Sequence, residues 1–273
     1  MPALIDVAGR PGGRSGQRRH GRQRLPVLLG LAGVIALAWT YLLYMAWGMA
    51  HMDVGIEMLL MPRMTDWGAV DLALVFLMWA VMMVAMMLPT ALPMVSAFAS
   101  CSRPSAEQPR AWSVVALVIG YVLVWAGFSL LATLLQWGLL EARWISPMME
   151  VRGPGFGGTL LLAAGIFQFT PLKHACLSAC RSPLSFLMTE WRPGNAGALI
   201  MGLRHGVLCT ACCWLLMALL FVLGVMNVVW IAALTVFVLI EKTWSGARWL
   251  TPAGGALLIA WGAILVGGAL AAG

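Results

Sequence analysis

Long apolar runs separated by short polar stretches dominate the chain. A membrane-spanning helix needs about 20 predominantly apolar residues. Seven runs reach or approach that length: 25–49, 72–99, 111–137, 156–172, 202–223, 228–240 and 252–270. The sixth is short and runs into Glu241-Lys242, so Trp244 marks an alternative inner boundary for it. The pattern predicts an all-α, polytopic transmembrane helix bundle of about seven spans, or six if the short run does not cross. Residues 1–24 are expected to form a disordered, basic cytoplasmic tail, and residues 25–273 the transmembrane helical domain.

Composition supports the membrane reading. The chain is 62% hydrophobic and 10% charged, against about 25% charged residues in soluble domains. The net charge of +7 does not indicate a nucleic-acid partner. The excess comes from Arg10, Arg14, Arg18, Arg19, Arg22 and Arg24 in the tail, where only Asp6 opposes it. Such a tail stays on the cytoplasmic side of a bilayer. The first apolar run is longer than the roughly 7–15-residue core of a signal peptide, so it reads as an uncleaved anchor in a bacterial inner membrane. With the N-terminus inside, Trp47, Trp67, Trp137, Trp144 and Trp230 fall near the outer boundary. Trp112, Trp191, Trp244 and Trp249 then fall near the inner one, which is the expected aromatic belt.

Soft metal donors cluster in this framework. The run from Gly202 to Trp214 holds His205, Cys209, Cys212 and Cys213. At about 100° per residue, Cys209 lies about 40° round from His205, Cys212 about 20° the other way and Cys213 about 80° round. All four share one stripe. Thiolate and imidazole suit copper(I), with zinc as the second candidate. Upstream, Cys176 and Cys180 share a helical face with Lys173 and Arg181 nearby, while His174 points away and is the poorer ligand. Gly202-x-x-x-Gly206 would let a neighbouring helix approach beside the stripe.

A second donor set is thioether. Met82/Met86 and Met83/Met87 are i,i+4 pairs, and Met78 extends the first by a turn. The row resembles the Met-x-x-x-Met element of high-affinity copper importers. Pro89 and Pro93 then interrupt the helix and free backbone carbonyls, which membrane depth tolerates only if they are buried or line a cavity. A loop after the first run adds His51, Asp53, Glu57, Asp66 and Asp71, with Met49, Met52, Met58, Met61 and Met64, and could collect copper from outside. In this topology the six cysteines lie at or near the cytoplasmic side, and most methionines lie outside or halfway through. Thioethers persist where thiols would oxidise, and thiolates persist where the cell keeps them reduced.

These stretches resemble a bacterial family of metal-binding integral membrane proteins, some of them labelled copper chaperones. The resemblance rests on Met82 to Pro89, Gln168 to Arg181, Cys209 to Trp214, Gly224 to Asn227 and Glu241-Lys242. It implies a metal ion as partner, with a metallochaperone or cuproenzyme as the protein partner, and it leaves a homo-oligomer open. The reading is copper(I) uptake or delivery. Two alternatives are a transmembrane thiol–disulfide carrier built on Cys209-x-x-Cys212 and a metal-dependent membrane enzyme. No phosphate loop, hydrolytic triad or paired carboxylate motif is readable, which argues against the enzyme. Glu241 beside Lys242 is expected to form buried or interfacial ion pairs.

Overall fold

The computed structural model describes residues 14–50, 67–102, 110–142, 144, 154–225, 227–244, 246 and 248–272, with helices and no strand among them. In chain order the helices are α1 (Arg14–Ala50), α2 (Ala69–Cys101), α3 (Arg110–Glu141), α4 (Pro154–Phe167), α5 (Pro171–Arg181), α6 (Pro183–Glu190), α7 (Gly194–Ala218), α8 (Leu220–Leu223), α9 (Val228–Thr243) and α10 (Leu250–Ala272). The Met-rich loop expected between the first two runs falls almost wholly in residues 51–66, outside the described residues.

Five helices are long and apolar enough to cross a membrane: Pro26–Gly48, Ala69–Cys101, Ala111–Glu141, Gly194–Leu223 and Leu250–Ala271. A sixth crossing is available to α4 and α5 together, which bend by 63° at their junction. The short sixth run forms α9, of 16 residues, about 24 Å long against a hydrocarbon core of about 30 Å.

Several boundaries differ from the sequence expectation. From Arg14 on, the basic segment read as tail is helical and continuous with α1, since arginine and glutamine are good helix formers. The stretch between the fourth and fifth apolar runs contains α6, which Pro183 opens; proline is preorganised for a first helical turn. Asp71 is not a loop residue. It lies in the first turn of α2, where its carboxylate accepts the Gly68 N–H at 2.9 Å.

Helix α2 is central and packs against α1, α3, α6 and α9. Its middle is apolar all round, and a helix of that kind is buried. Trp79, Met82, Met83, Met86 and Met87 are fully enclosed. Large side chains such as Leu37, Leu131, Ile264 and Leu270 are instead exposed on the outer helix faces, where a bilayer would cover them. Pro89 has no N–H to offer the Ala85 carbonyl four residues back. The indole Nε1–H of Trp39 on α1 donates to that carbonyl at 3.2 Å. The expected interruption does not occur: the helix continues through Pro89 and Pro93 to Cys101, and the carbonyl that Pro89 leaves free is satisfied by a neighbouring helix, which ties α1 to α2.

The most extensive packing is between α3 and α7, and it depends on glycine. A Cβ on Gly202 would collide with the Leu117 carbonyl, and one on Gly120 with the Leu199 carbonyl. At Gly206 it would meet the Val124 side chain at 2.9 Å. The Gly202-x-x-x-Gly206 pair therefore does bring a helix close beside the cysteine stripe, and that helix is α3. Helices α4 and α10 form a second close pair, in which a Cβ on Gly262 would meet the Gly158 carbonyl at 2.7 Å.

Gly202→Val should force α3 and α7 apart and cost about 1–3 kcal/mol or more. Gly127→Val should cost far less, because nothing lies within 4 Å of its Cβ position. Thermal unfolding of both variants in detergent checks the contrast.

Candidate metal centre

The cysteine stripe of α7 faces the interior, with Cys209, Cys212 and Cys213 no more than 1% exposed. The thiols of Cys212 and Cys213 each donate to the Cys209 carbonyl at 3.0 Å. The helix thereby uses one carbonyl to hold two sulfurs on the same side. Cys180 of α5 adjoins Cys209 and Cys212. Four sulfurs from two helices therefore meet in one place. Cys176, one turn earlier on α5, is buried in the adjoining core.

A lysine enters the same cluster. At the end of α9, Lys242 is 5% exposed, and its Nζ lies 2.7 Å from Cys209 Sγ and 3.6 Å from Cys213 Sγ. A buried ammonium is expensive unless an opposite charge and hydrogen bonds compensate it. Among the described residues, no three His, Cys, Asp or Glu side chains are arranged to hold a metal ion. The sulfurs are gathered without forming a ready chelate, and the ammonium stands among them.

Five of the six methionines of α2 form a row that lies in the same buried core as these cysteines. Met78, Met82, Met83, Met86 and Met87 are all buried, and they cover about half the helix circumference at about 100° per residue. At the Met87 end of the row the backbone meets Tyr121 of α3, whose hydroxyl lies 3.0 Å from the Met87 carbonyl and 3.0 Å from Cys209 Sγ. Tyr121 thus bridges the backbone of the thioether helix and the thiol of Cys209.

The candidate histidines His174 and His205 take separate places. His205 lies one turn before Cys209, with its ring 5.7 Å from Tyr121 and 5.6 Å from Phe186. Its Nδ1 is buried without a hydrogen-bond partner. His174 is exposed and lines a cavity with Arg181 and Arg248. It does not join the sulfurs, as its helical phase implied.

Beside the cluster, Glu241 is fully buried and accepts from Lys173 Nζ and Thr251 Oγ1, each at 2.8 Å. Arg181 Nε donates to the Glu241 carbonyl at 2.7 Å. Sequence reasoning anticipated an ion pair here. It did not find the two partners: Lys173 answers Glu241, and sulfur answers Lys242. Tyr121 was missed entirely, because an aromatic residue in an apolar run carries no signal of its own. Lys242 did carry one, since an ionisable residue within a membrane segment marks a functional site by default.

A family model described as PpoB2, copper chaperone, matches residues 76–265. The chain belongs to this copper chaperone family. No curated protein and no solved structure matches it. The matched stretch contains the methionine row, the cysteines of α5 and α7, Tyr121 and Lys242. The family name supplies copper as the metal partner, in agreement with the sequence resemblance, and the helices supply a multi-pass membrane setting.

Glu241→Gln should leave the Lys173 charge buried and unpaired, at a cost of about 3–5 kcal/mol. Lys173→Met in the same chain should recover most of that loss. Thermal unfolding of the single and double variants in detergent measures both steps.

Proposed function

We propose that this copper chaperone family member carries copper(I) inward along α2 and holds it at the sulfurs of α5 and α7. The observation that carries this reading is the convergence of Cys180, Cys209, Cys212 and Cys213 around one buried ammonium, with Tyr121 joining them to Met87. Thiolate and thioether ligands are soft and select copper(I) over harder ions. Zinc would accept the thiolates but not a thioether approach.

Charge explains the lysine. A copper(I) ion held by two thiolates carries one net negative charge, and a protonated Lys242 cancels it. In the absence of metal, the same ammonium is partnered by the sulfur of Cys209. The ligand set on this reading is Cys209 with one or two of Cys180, Cys212 and Cys213, and Cys176 and His205 stand just behind it. With the basic N-terminal segment inside, the order along the path is thioether first and thiol second, and a cytoplasmic metallochaperone or a cuproenzyme receives the ion. Conduction of this kind needs several sites, each weak enough to release.

Four variants test it. Cys209→Ser with Cys212→Ser should abolish copper(I) binding by the purified protein, measured under anaerobic conditions against a competing chelator. Met82→Leu with Met86→Leu nearly conserves volume and should cost under about 1.5 kcal/mol. Binding at the thiols should survive there while copper uptake into vesicles falls; unchanged uptake removes the methionines from the path. Lys242→Met should weaken copper(I) binding by about tenfold or more, because the anionic complex loses its buried counter-charge, and Lys242→Arg should retain most of it. A thiol–disulfide carrier would behave differently: the cysteine variant would lose reductant flux across the membrane while metal content stayed unchanged.

A further inference from the structure

A second polar feature lies away from the sulfurs. Where α5 ends, α6 begins and α10 begins, a cavity of about 460 Å³ opens to the surface, within the range of small-ligand clefts. Its lining includes Arg181, Arg248, His174 and Ser182, and none of the described residues that line it is acidic. Glu241 stands nearby without lining it, and its two carboxylate oxygens are taken by Lys173 and Thr251. The local cationic excess therefore has no carboxylate facing it within the cavity.

The guanidinium of Arg181 is the decisive group. Its Nε is fixed by the Glu241 carbonyl at 2.7 Å, while its Nη2 is buried with no hydrogen-bond partner. Leaving a charged donor buried and unsatisfied is costly, and such groups mark an absent partner. Position adds to the argument. Trp244 and Trp249 flank Arg248 in sequence and are both exposed, as side chains at the headgroup level of a bilayer are. The first turns of α6 and α10 also bring the positive ends of two helix dipoles to the cavity mouth, opposed by the negative end of α5.

We propose that this cavity is an anion site for a phosphate group, held by Arg248, His174 and the fixed guanidinium of Arg181. Arginine suits the task because its fork of N–H donors matches phosphate oxygens. The phosphate has two sources, the headgroup of an anionic phospholipid in the inner leaflet or a free phosphate in the cytosol. The site is independent of the copper path.

The full-length protein in detergent supports a direct test. One arm titrates inorganic phosphate against chloride at matched ionic strength, read by thermal unfolding. The other adds phosphatidylglycerol or phosphatidylcholine and reads retained lipid by native mass spectrometry. Saturable stabilisation by phosphate assigns the free anion, and selective retention of phosphatidylglycerol assigns the lipid; both support the site. Arg248→Gln should weaken whichever binding is seen by about tenfold, the loss of one charge-assisted pair. His174→Gln should weaken it less, and because both side chains are exposed neither change should alter unfolding without anion. If neither probe binds, or if binding is unchanged in both variants, the proposal is overturned.

Discussion

The end of α9 holds two opposite charges in adjacent residues, and the interior of the bundle is arranged to answer both. Glu241 reaches Lys173 on α5 and Thr251 on α10, and Lys242 reaches the sulfurs of α7. An isolated charge at that depth costs several kcal/mol. The pairings therefore fix how α5, α7 and α10 sit against α9, even though α9 itself is short. The same two residues separate an ion pair with a carboxylate from a contact between an ammonium and sulfur. On the proposed function, the carboxylate keeps its lysine, whereas the sulfurs would take a metal ion beside theirs.

The bundle uses close packing to protect this arrangement. Helices in a bilayer gain little from apolar burial against one another, because lipid is equally apolar, so close backbone approach and hydrogen bonds carry more of the association. Gly202, Gly206 and Gly120 supply the approach between α3 and α7. That contact also sets Tyr121 against Cys209 and Met87. Trp39 performs a similar service at the carbonyl that Pro89 leaves free, and Trp79 donates to Gln136 at 2.7 Å. Packing residues and site residues are thus interleaved on the same helices. Substitutions that loosen α3 against α7 would disturb the thiol cluster without touching a sulfur.

The sulfurs also lie well along α7 rather than at its start. Cys209 is about 22 Å along α7 from its start at the rise of an ideal helix, and its side chain is enclosed by protein. Enclosure protects thiols from oxidation and lowers the local dielectric, which strengthens the interaction with Lys242. It also means that an ion must arrive through the protein. On the proposed function, the buried methionines of α2 would bring it.

The sequence by itself determined the membrane class, the helical fold and which residue types carry chemistry, because each follows from composition and period. Apolar runs of spanning length admit few structures other than helices. The stripe of Cys209, Cys212 and Cys213, the methionine row, the aberrant phase of His174 and the glycine contact beside the stripe were all legible from helical spacing. Helical spacing relates residues within one helix only. It could not place Cys180 against α7, assign Lys173 to Glu241, or bring Lys242 and Tyr121 to the thiols, since each of those contacts joins separate helices. Nor could it show that α4 and α5 bend by 63°, a bend that carries Cys180 to the cluster and leaves Arg181 beside an open cavity. Only tertiary structure decided these points, because the partner of a buried charge is whichever compatible group the packing of other helices brings within reach.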